Sequence, residues 1–380
     1  MASLYAQDID YAKKTISTLS SEGFHGRGYV KQGDKKAAKF IKGEFEKTGL
    51  KAFNNSFYQY FDMSINTFPS RMSLAIDGKE LSAGKEFMVN CGSKGLKGDF
   101  TIKSISSFPP ENDGEQKILE GAGPDDIILV REKWASPGLI NPYKCAGYII
   151  LKDRKLFWHV SSGRNPLDYI FLEVQKTAFK GEARTASINI KNKFREGYRT
   201  ANIIGFLEGS SQPDSFLVVC AHYDHLGHMG NEAFFPGAHD NASGVAMMLD
   251  LAGYFSQKEN QLPESIAFMA FSGEEAGLLG SSYYVNNPLF PLGNIKFVLN
   301  LDLMGSGSQG ITFVNADAEP RAFKLMGKIN EENEFIRKVA FRKNSCNSDH
   351  CPFARADVPA AFLYTNGDEY TEYHTVSDRA

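Results

Sequence analysis

From Thr200 onward the sequence alternates short, unbroken apolar runs with amphipathic stretches: ANIIGFLE, FLVVCA, NASGVAMMLDLAGYF, SIAFMAFS, AGLLGSSYYV, IKFVLNLDL, ITFVN, EPRAFKLMGKINEEN and AAFLYT follow one another. A strand apolar at every position is covered on both faces, and strands that alternate with helices are joined by crossovers. The pattern therefore predicts an α/β domain whose largely parallel sheet is flanked by helices. Sheets of this kind place ligand sites beyond the carboxyl ends of their strands. The residues that directly follow the apolar runs are the ones to read for chemistry.

His222 follows FLVVCA, Glu274 and Glu275 follow SIAFMAFSG, and Asp302 comes at the end of IKFVLNL. Asp240 lies before a helix-like segment in GAHDNASG, and His374 lies in EYHTVSD after the last strand. Histidines and carboxylates without a thiolate suit Zn²⁺, or alternatively Mn²⁺ or Co²⁺, in a catalytic rather than a structural site. Five ligands are too many for one catalytic zinc that keeps a water, and they suit two ions sharing a bridging carboxylate. Asp240 is the natural bridge, because Ala242, Ser243 and Gly244 behind it let the backbone bring a short side chain close to both ions. Of the two adjacent glutamates one is then free, and Glu274 can act as the base that takes a proton from an attacking water and passes it to a leaving amine. Amide hydrolysis follows.

Asp224, two residues after His222, is expected to accept the other N–H of that imidazole. His225, His228 and His239 read as loop residues or pocket lining. Singly, an acid is usually a solvated surface group and a lone histidine usually packs; consistent placement at strand ends is what argues for a site.

The amino-terminal stretch reads as two helices, one with Ile9, Ala12, Ile16 and Leu19 after a capping Asp8, the other with Ala37, Ile41 and Phe45 before Gly49. His25, in the glycine-rich loop between them, is assigned no chemistry. From about Phe61 to Phe194 short β-like runs (MSLAI, DFTIKSI, DIILV, GYIIL, ASINI) are divided by Gly, Pro and Asp clusters, which predicts a β-rich insert. Its Trp134, Tyr148, Trp158 and Phe171 are expected in the core or on strand faces rather than against substrate.

At 380 residues with 42% hydrophobic content the chain has material for one or two cores. A net charge of -3, with Lys and Arg dispersed, offers no footprint for nucleic acid or an anionic membrane, so the partner is expected to be small or peptidic. No apolar run approaches the roughly 18 residues that a membrane span needs, and the start lacks a basic-then-apolar leader. The cysteines form no CxxC pair; Cys220 reads as a core residue, and Cys346 and Cys351 are close enough for a small loop disulfide if the chain is exported, free thiols otherwise.

Taken together, HYDHLG, GAHDNASG, FSGEEAGLLGS, NLDLMG, NSDHCPFARADVPA and YHTVSD resemble the motifs of the M28 zinc peptidases, the aminopeptidase Y-like and bacterial leucyl aminopeptidase-like group. The likeness runs from about Thr200 to Asp378. It implies a three-layer zinc-exopeptidase fold with a largely parallel mixed sheet flanked by helices, and two Zn²⁺: His222 and Asp302 on one, Glu275 and His374 on the other, Asp240 between them, Glu274 as general base. Tyr373 matches a tyrosine that steadies the oxyanion in some relatives, with packing as its alternative role, and Asp349 and His350 fall in an SDH motif read as support or pocket wall. The segment AGPDDIILVREKWASPGLINPYKCAGYIIL faintly resembles a protease-associated (PA) domain. The expected organisation is a catalytic domain from 1–61 and 196–380 with a PA-like insert at 62–195.

The resemblance also implies a periplasmic or extracellular home with the leader removed, a cytoplasmic one being the alternative. Relatives usually continue past HTVSD with a covering helix, whereas this chain stops at Asp378-Arg379-Ala380, from which a loosened His374 is expected. The leading expectation is a metallo-aminopeptidase acting on peptide substrates. Its rivals are a one-zinc glutaminyl cyclase, in which a tryptophan often precedes the last ligand histidine where this chain has Tyr373; a carboxypeptidase or dipeptidase; and an inactive binding protein, which would be expected to have lost ligands.

Overall fold

The computed structural model describes residues 8–135, 140–161, 165–179 and 181–380. Both amino-terminal helices form where the apolar spacing places them. Helix α1 (Ile9–Leu19) starts at Asp8, whose side chain accepts the Tyr11 N–H, and α2 (Gly33–Thr48) ends on Gly49 in the left-handed region at φ 78°, the conformation glycine adopts at least cost.

A nine-stranded mixed sheet carries the site. Its strands are β1 (Tyr58–Thr67), β2 (Lys193–Leu207), β3 (Gln212–His222), β4 (Glu264–Phe271), β5 (Ile295–Leu301), β6 (Gly310–Val314), β7 (Val339–Arg342) and β8 (Ala360–Asn366), with the short Lys51–Ala52 at one edge. From that edge the order is Lys51–Ala52, β2, β4, β3, β5, β8, β6, β7, and β1 also pairs with β2. The central strands β4, β3, β5 and β8 are mutually parallel, whereas β1 and β2 on one side and the β6–β8 pair on the other are antiparallel. The uniformly apolar runs are the parallel ones, as two-faced burial requires.

Alternation along β3 and β4 divides the core. Val219, Ala221, Phe268 and Ala270 face α1, α2 and helix α3 (Ser243–Ser256). Val218, Cys220, Ala267, Met269 and Phe271 face the opposite layer, to which α4 (Leu279–Asn286) contributes Tyr284 and α6 (His350–Arg355) contributes Phe353. A further helix, α5 (Pro320–Asn333), has no fully buried residue.

Between β1 and β2 the chain builds a separate eight-stranded sheet from strands that begin at Ser73 and end at Ile190. The expected insert boundaries, after 61 and 195, fall inside β1 and β2, which pair with each other in the large sheet. The amphipathic ladder continues through those boundaries, so local composition changes before the sheet does. One apolar cluster joins Leu172 and Ile149 of the smaller sheet to Met63 and Ile65 of β1 and to Leu226 and Phe235 beyond β3. Trp134, Tyr148 and Phe171 pack together within the insert, and Trp158 is buried against Phe235 with ring centroids 5.0 Å apart. Residues 136–139 of the PA-resembling segment lie outside the described residues. No described helix is long and apolar enough to cross a membrane.

Candidate metal centre

The parallel strands deliver their acids and histidines to one edge. His222 is the last residue of β3, Asp302 follows the last residue of β5, Glu274 and Glu275 follow β4, and the loop beyond β8 returns with His374. Asp240 arrives from the segment that precedes α3. There a Cβ on Gly244 would lie 2.4 Å from the Leu301 carbonyl oxygen, so the close approach of this turn to β5 needs glycine. The Asp240–Asn241 peptide is cis.

Asp240 stands between two groups of donors. Its Oδ1 is 3.4 Å from His222 Nε2, which is also 3.3 Å from Asp302 Oδ1. Its Oδ2 is 3.1 Å from His374 Nε2, which is 3.2 Å from Glu275 Oε2. Glu274 Oε2 lies further off, 3.9 Å from His222 Nε2. His225, expected only as loop or pocket lining, is fully buried and places Nδ1 2.6 Å from Glu275 Oε1. The ligand atoms of His222, Glu274 and Asp302 lie within 4.8 Å of one another, as do those of His225, Asp240 and Glu275.

Surrounding groups hold these side chains. Ser348 Oγ donates to Asp302 Oδ2 at 2.8 Å, and Asn300 donates to Ser348 at 2.7 Å. His222 Nδ1 lies 3.1 Å from the main-chain carbonyl of Asp224, while the Asp224 carboxylate is 3.9 Å away. The expected carboxylate partner of His222 is thus replaced by a carbonyl. The Asp224 carboxylate instead accepts the Tyr29 hydroxyl at 2.6 Å and the Glu274 N–H at 3.2 Å, so it positions the glutamate loop. Asp349 accepts from Ser281 at 2.5 Å and His350 Nε2 meets the Ser345 carbonyl at 2.8 Å; both are buried beside the centre rather than in it. His239 accepts the Gly305 N–H, and His228 packs on Phe234. Tyr373 stacks on His374 with centroids 3.8 Å apart and is 41% exposed.

Sequence reading missed Arg27. Its fully buried guanidinium donates to the carbonyls of Leu19, Tyr223, Pro236, Gly237 and Asp240, tying the loop after α1 to the Asp240 turn. It also missed His159 of the insert, whose Nδ1 lies 3.1 Å from His374 Nδ1. The expected loosening of His374 is not seen: the residue is 3% exposed, and its carbonyl accepts the Trp158 N–H.

Burial pushes the Glu274 carboxyl well above its ordinary range, the attraction of His222 being offset by Asp349 and Asp302. For Glu275 the attraction of His374 and His225 overcomes burial and holds it down to about 2. Adjacent glutamates thus have opposite proton affinities. Burial also drives Asp349 up to about 7. The centre opens on a cavity of about 300 Å³ lined by His222, Asp240, Glu274, Asp302, Tyr373 and His374 on one side, with Arg342, Asn347, Phe362 and Tyr364 completing the wall.

The donor set fits zinc. Four carboxylates, Asp240 and Asp302 buried and Glu274 and Glu275 partly so, converge with His222 and His374 on one edge, a concentration of acidic oxygens and imidazole nitrogens that divalent cations would balance. Every donor is N or O, and Cys220 faces Asn300 instead.

A mixed α/β sheet with this arrangement at its carboxyl edge has the fold of zinc aminopeptidases. BSAP, a zinc aminopeptidase from Bacillus subtilis, superposes with a TM-score of 0.71 at 22% identity, covering 97% of this chain and 89% of that one. A peptidase M28 precursor from Shewanella amazonensis gives 0.71 at 18% identity, covering 98% and 88%. Residues 202–380 match the family model Peptidase family M28. Among curated proteins, aminopeptidase YwaD of Bacillus subtilis is 33% identical over 52% of this chain and 44% of its own length. A probable zinc metalloprotease of Pyricularia oryzae is 39% identical over 30% of this chain and 23% of its own. The chain therefore spans less than half the length of either curated relative.

Proposed function

We propose that this protein is a two-zinc aminopeptidase. The observation that carries the reading is the division of the Asp240 carboxylate, with Oδ1 3.4 Å from His222 Nε2 and Oδ2 3.1 Å from His374 Nε2. His222 and Asp302 would hold one ion, Glu275 and His374 the other, with Asp240 shared. Two histidines compete for the second position. His374 Nε2 lies 3.1 Å from Asp240 and 3.2 Å from Glu275 and lines the cavity, whereas His225 Nδ1 lies 2.6 Å from Glu275 but 4.0 Å from Asp240 and is not in the cavity wall, which supports His374 as ligand and His225 as the group that orients the carboxylate. Zinc bound there supplies Lewis acidity toward a scissile carbonyl and brings water into nucleophilic range near neutral pH.

The protein's own groups do the rest. Glu274, the free carboxylate, takes the proton from the attacking water and returns it to the leaving amine, a cycle that leaves the glutamate unchanged. The Tyr373 hydroxyl at the cavity mouth donates to the oxygen that gains charge during attack. A cavity of about 300 Å³ is of the size of a small-ligand site, and the aminopeptidase names of relatives such as YwaD favour cleavage at the amino end of a peptide.

The domain organisation we adopt keeps the smaller sheet as a PA-like unit that contacts the centre through His159 and Trp158 against His374. An oxidising home, periplasmic or extracellular, is supported by the bonded sulfurs of Cys346 and Cys351. Release of amino acids from a panel of aminoacyl anilides, assayed after chelation and again after zinc is restored, tests the function. A folded, zinc-replete sample that releases nothing from any member of the panel overturns it; zinc counted at one ion per chain overturns the shared-carboxylate centre.

A further inference from the structure

Lys155, Trp158 and His159 of the eight-stranded unit's loop reach the segment that carries His374. Trp158 is anchored twice, its indole N–H donating to the Val89 carbonyl at 2.8 Å and its ring stacking on Phe235. Its main-chain N–H donates to the His374 carbonyl at 3.1 Å. His374 itself sits at φ 54°, in the sparsely populated left-handed region, and this hold fixes its main chain there. A second tie runs from Lys155, whose Nζ meets the Glu372 carboxylate and the Thr371 carbonyl. Between these ties His159 presents its ring edge to His374: the two Nδ1 atoms are 3.1 Å apart and the rings cross at 64°.

We propose that His159 is a positioning residue for the second zinc site, fixing the tautomer and the orientation of His374. The inference rests on the reading of His374 as a zinc ligand. His374 Nε2 faces Asp240 and Glu275, so a ligand lone pair on Nε2 places the ring proton on Nδ1. That proton is donated to His159 Nδ1, which accepts with its lone pair and keeps its own proton on Nε2, at the outer edge of a residue that is exposed as a whole. Ligand histidines are commonly held this way by a carboxylate or a carbonyl. Here the acceptor is an imidazole from a separate unit of the fold, so occupancy of the second site depends on the docking of the insert against the large sheet.

Asparagine places Oδ1 where histidine has Nδ1 and can accept the same hydrogen bond; leucine fills similar space and cannot. The test is a zinc titration of metal-stripped protein in competition with a chromophoric chelator, run on the wild type, His159→Leu, His159→Asn and His374→Ala, with thermal unfolding of the stripped proteins confirming that each folds. The wild type is expected to take two ions and His374→Ala to lose one. His159→Leu should weaken one site by about 10- to 100-fold and leave the other unchanged, and His159→Asn should bind close to wild type. If His159→Leu binds both ions like the wild type, or His159→Asn is as weak as His159→Leu, the positioning role is wrong while the two-zinc reading stands. If the wild type takes fewer than two ions, or His374→Ala keeps both, the zinc reading itself fails and this inference falls with it.

Discussion

Asp378 holds the main chain at Asp240: its carboxylate oxygens accept the N–H groups of His239 at 2.8 Å and of Asp240 at 3.1 Å. Both N–H groups are buried, and Asp378 itself is 2% exposed. Asp378→Ala would leave two buried donors unpaired at a cost of about 1–3 kcal/mol each. Urea unfolding should show a loss on the order of 3 kcal/mol, with Asp378→Asn losing less. A variant as stable as the wild type would mean that the turn is held without this carboxylate.

Arg27 supports the same turn from the other side. Burial lowers its guanidinium to about 10, which leaves it charged at neutral pH. Arg27→Met strands several buried carbonyls and should destabilise the fold by on the order of 3 kcal/mol or more. Arg27→Lys should rescue little, since an ammonium cannot span acceptors spread across a planar fork. Denaturation midpoints of the two variants check both statements.

Glu274→Gln removes the proton carrier and keeps the size of the side chain. Hydrolysis of an aminoacyl anilide should fall by about 10²- to 10⁴-fold, with zinc content and unfolding midpoint unchanged. An unaltered rate would take the base role away from Glu274.

Tyr373 keeps its phenolic proton far above neutral pH, chiefly through burial of its hydroxyl end and then through the nearby carboxylates. As an oxyanion donor it should make Tyr373→Phe slower in kcat by up to about 10²-fold with little change in KM. If stacking on His374 is its only task, Tyr373→Phe will match the wild type and Tyr373→Ala will lose zinc.

Asp34 makes stability depend on pH. It is buried at the start of α2 and accepts the hydroxyls of Tyr198 at 2.7 Å and Thr200 at 3.1 Å. Burial outweighs those bonds and raises its carboxyl from 3.8 to about 6. A folded value above the unfolded one favours the protonated form, so the group imposes no penalty well below pH 4. The penalty grows between there and pH 6 and reaches on the order of 3 kcal/mol above it. Asp34→Asn does not titrate, so the stability of the wild type relative to this variant should fall by that order from pH 4 to pH 7. A difference independent of pH would contradict the raised value.

His222, Glu274, Glu275 and Asp302 were legible because each adjoins the end of an apolar run, and the parallel strands carry those ends to one edge. Asp240 was legible from the small residues behind it, and Gly244 does pack against β5. Asp224 was half legible: its closeness to His222 was right, yet the contact runs through its carbonyl, since nothing local dictates which oxygen turns inward. Arg27, Asp378 and His159 were not legible. Each lies in a loop or short turn without apolar periodicity, and the partners that matter are far away in sequence, 213 residues for Arg27 and the Asp240 carbonyl, 139 for Asp378 and the His239 N–H, 215 for His159 and His374.

The sequence by itself determined the layered α/β order and which acids and histidines end the parallel strands, because strand burial and the residues that terminate strands are encoded locally. Only the tertiary structure decided which further groups meet the centre: His225 against Glu275, and a histidine of the insert against His374. Those choices come from bringing together loops far apart along the chain, and no local preference of the chain specifies the register of their contact.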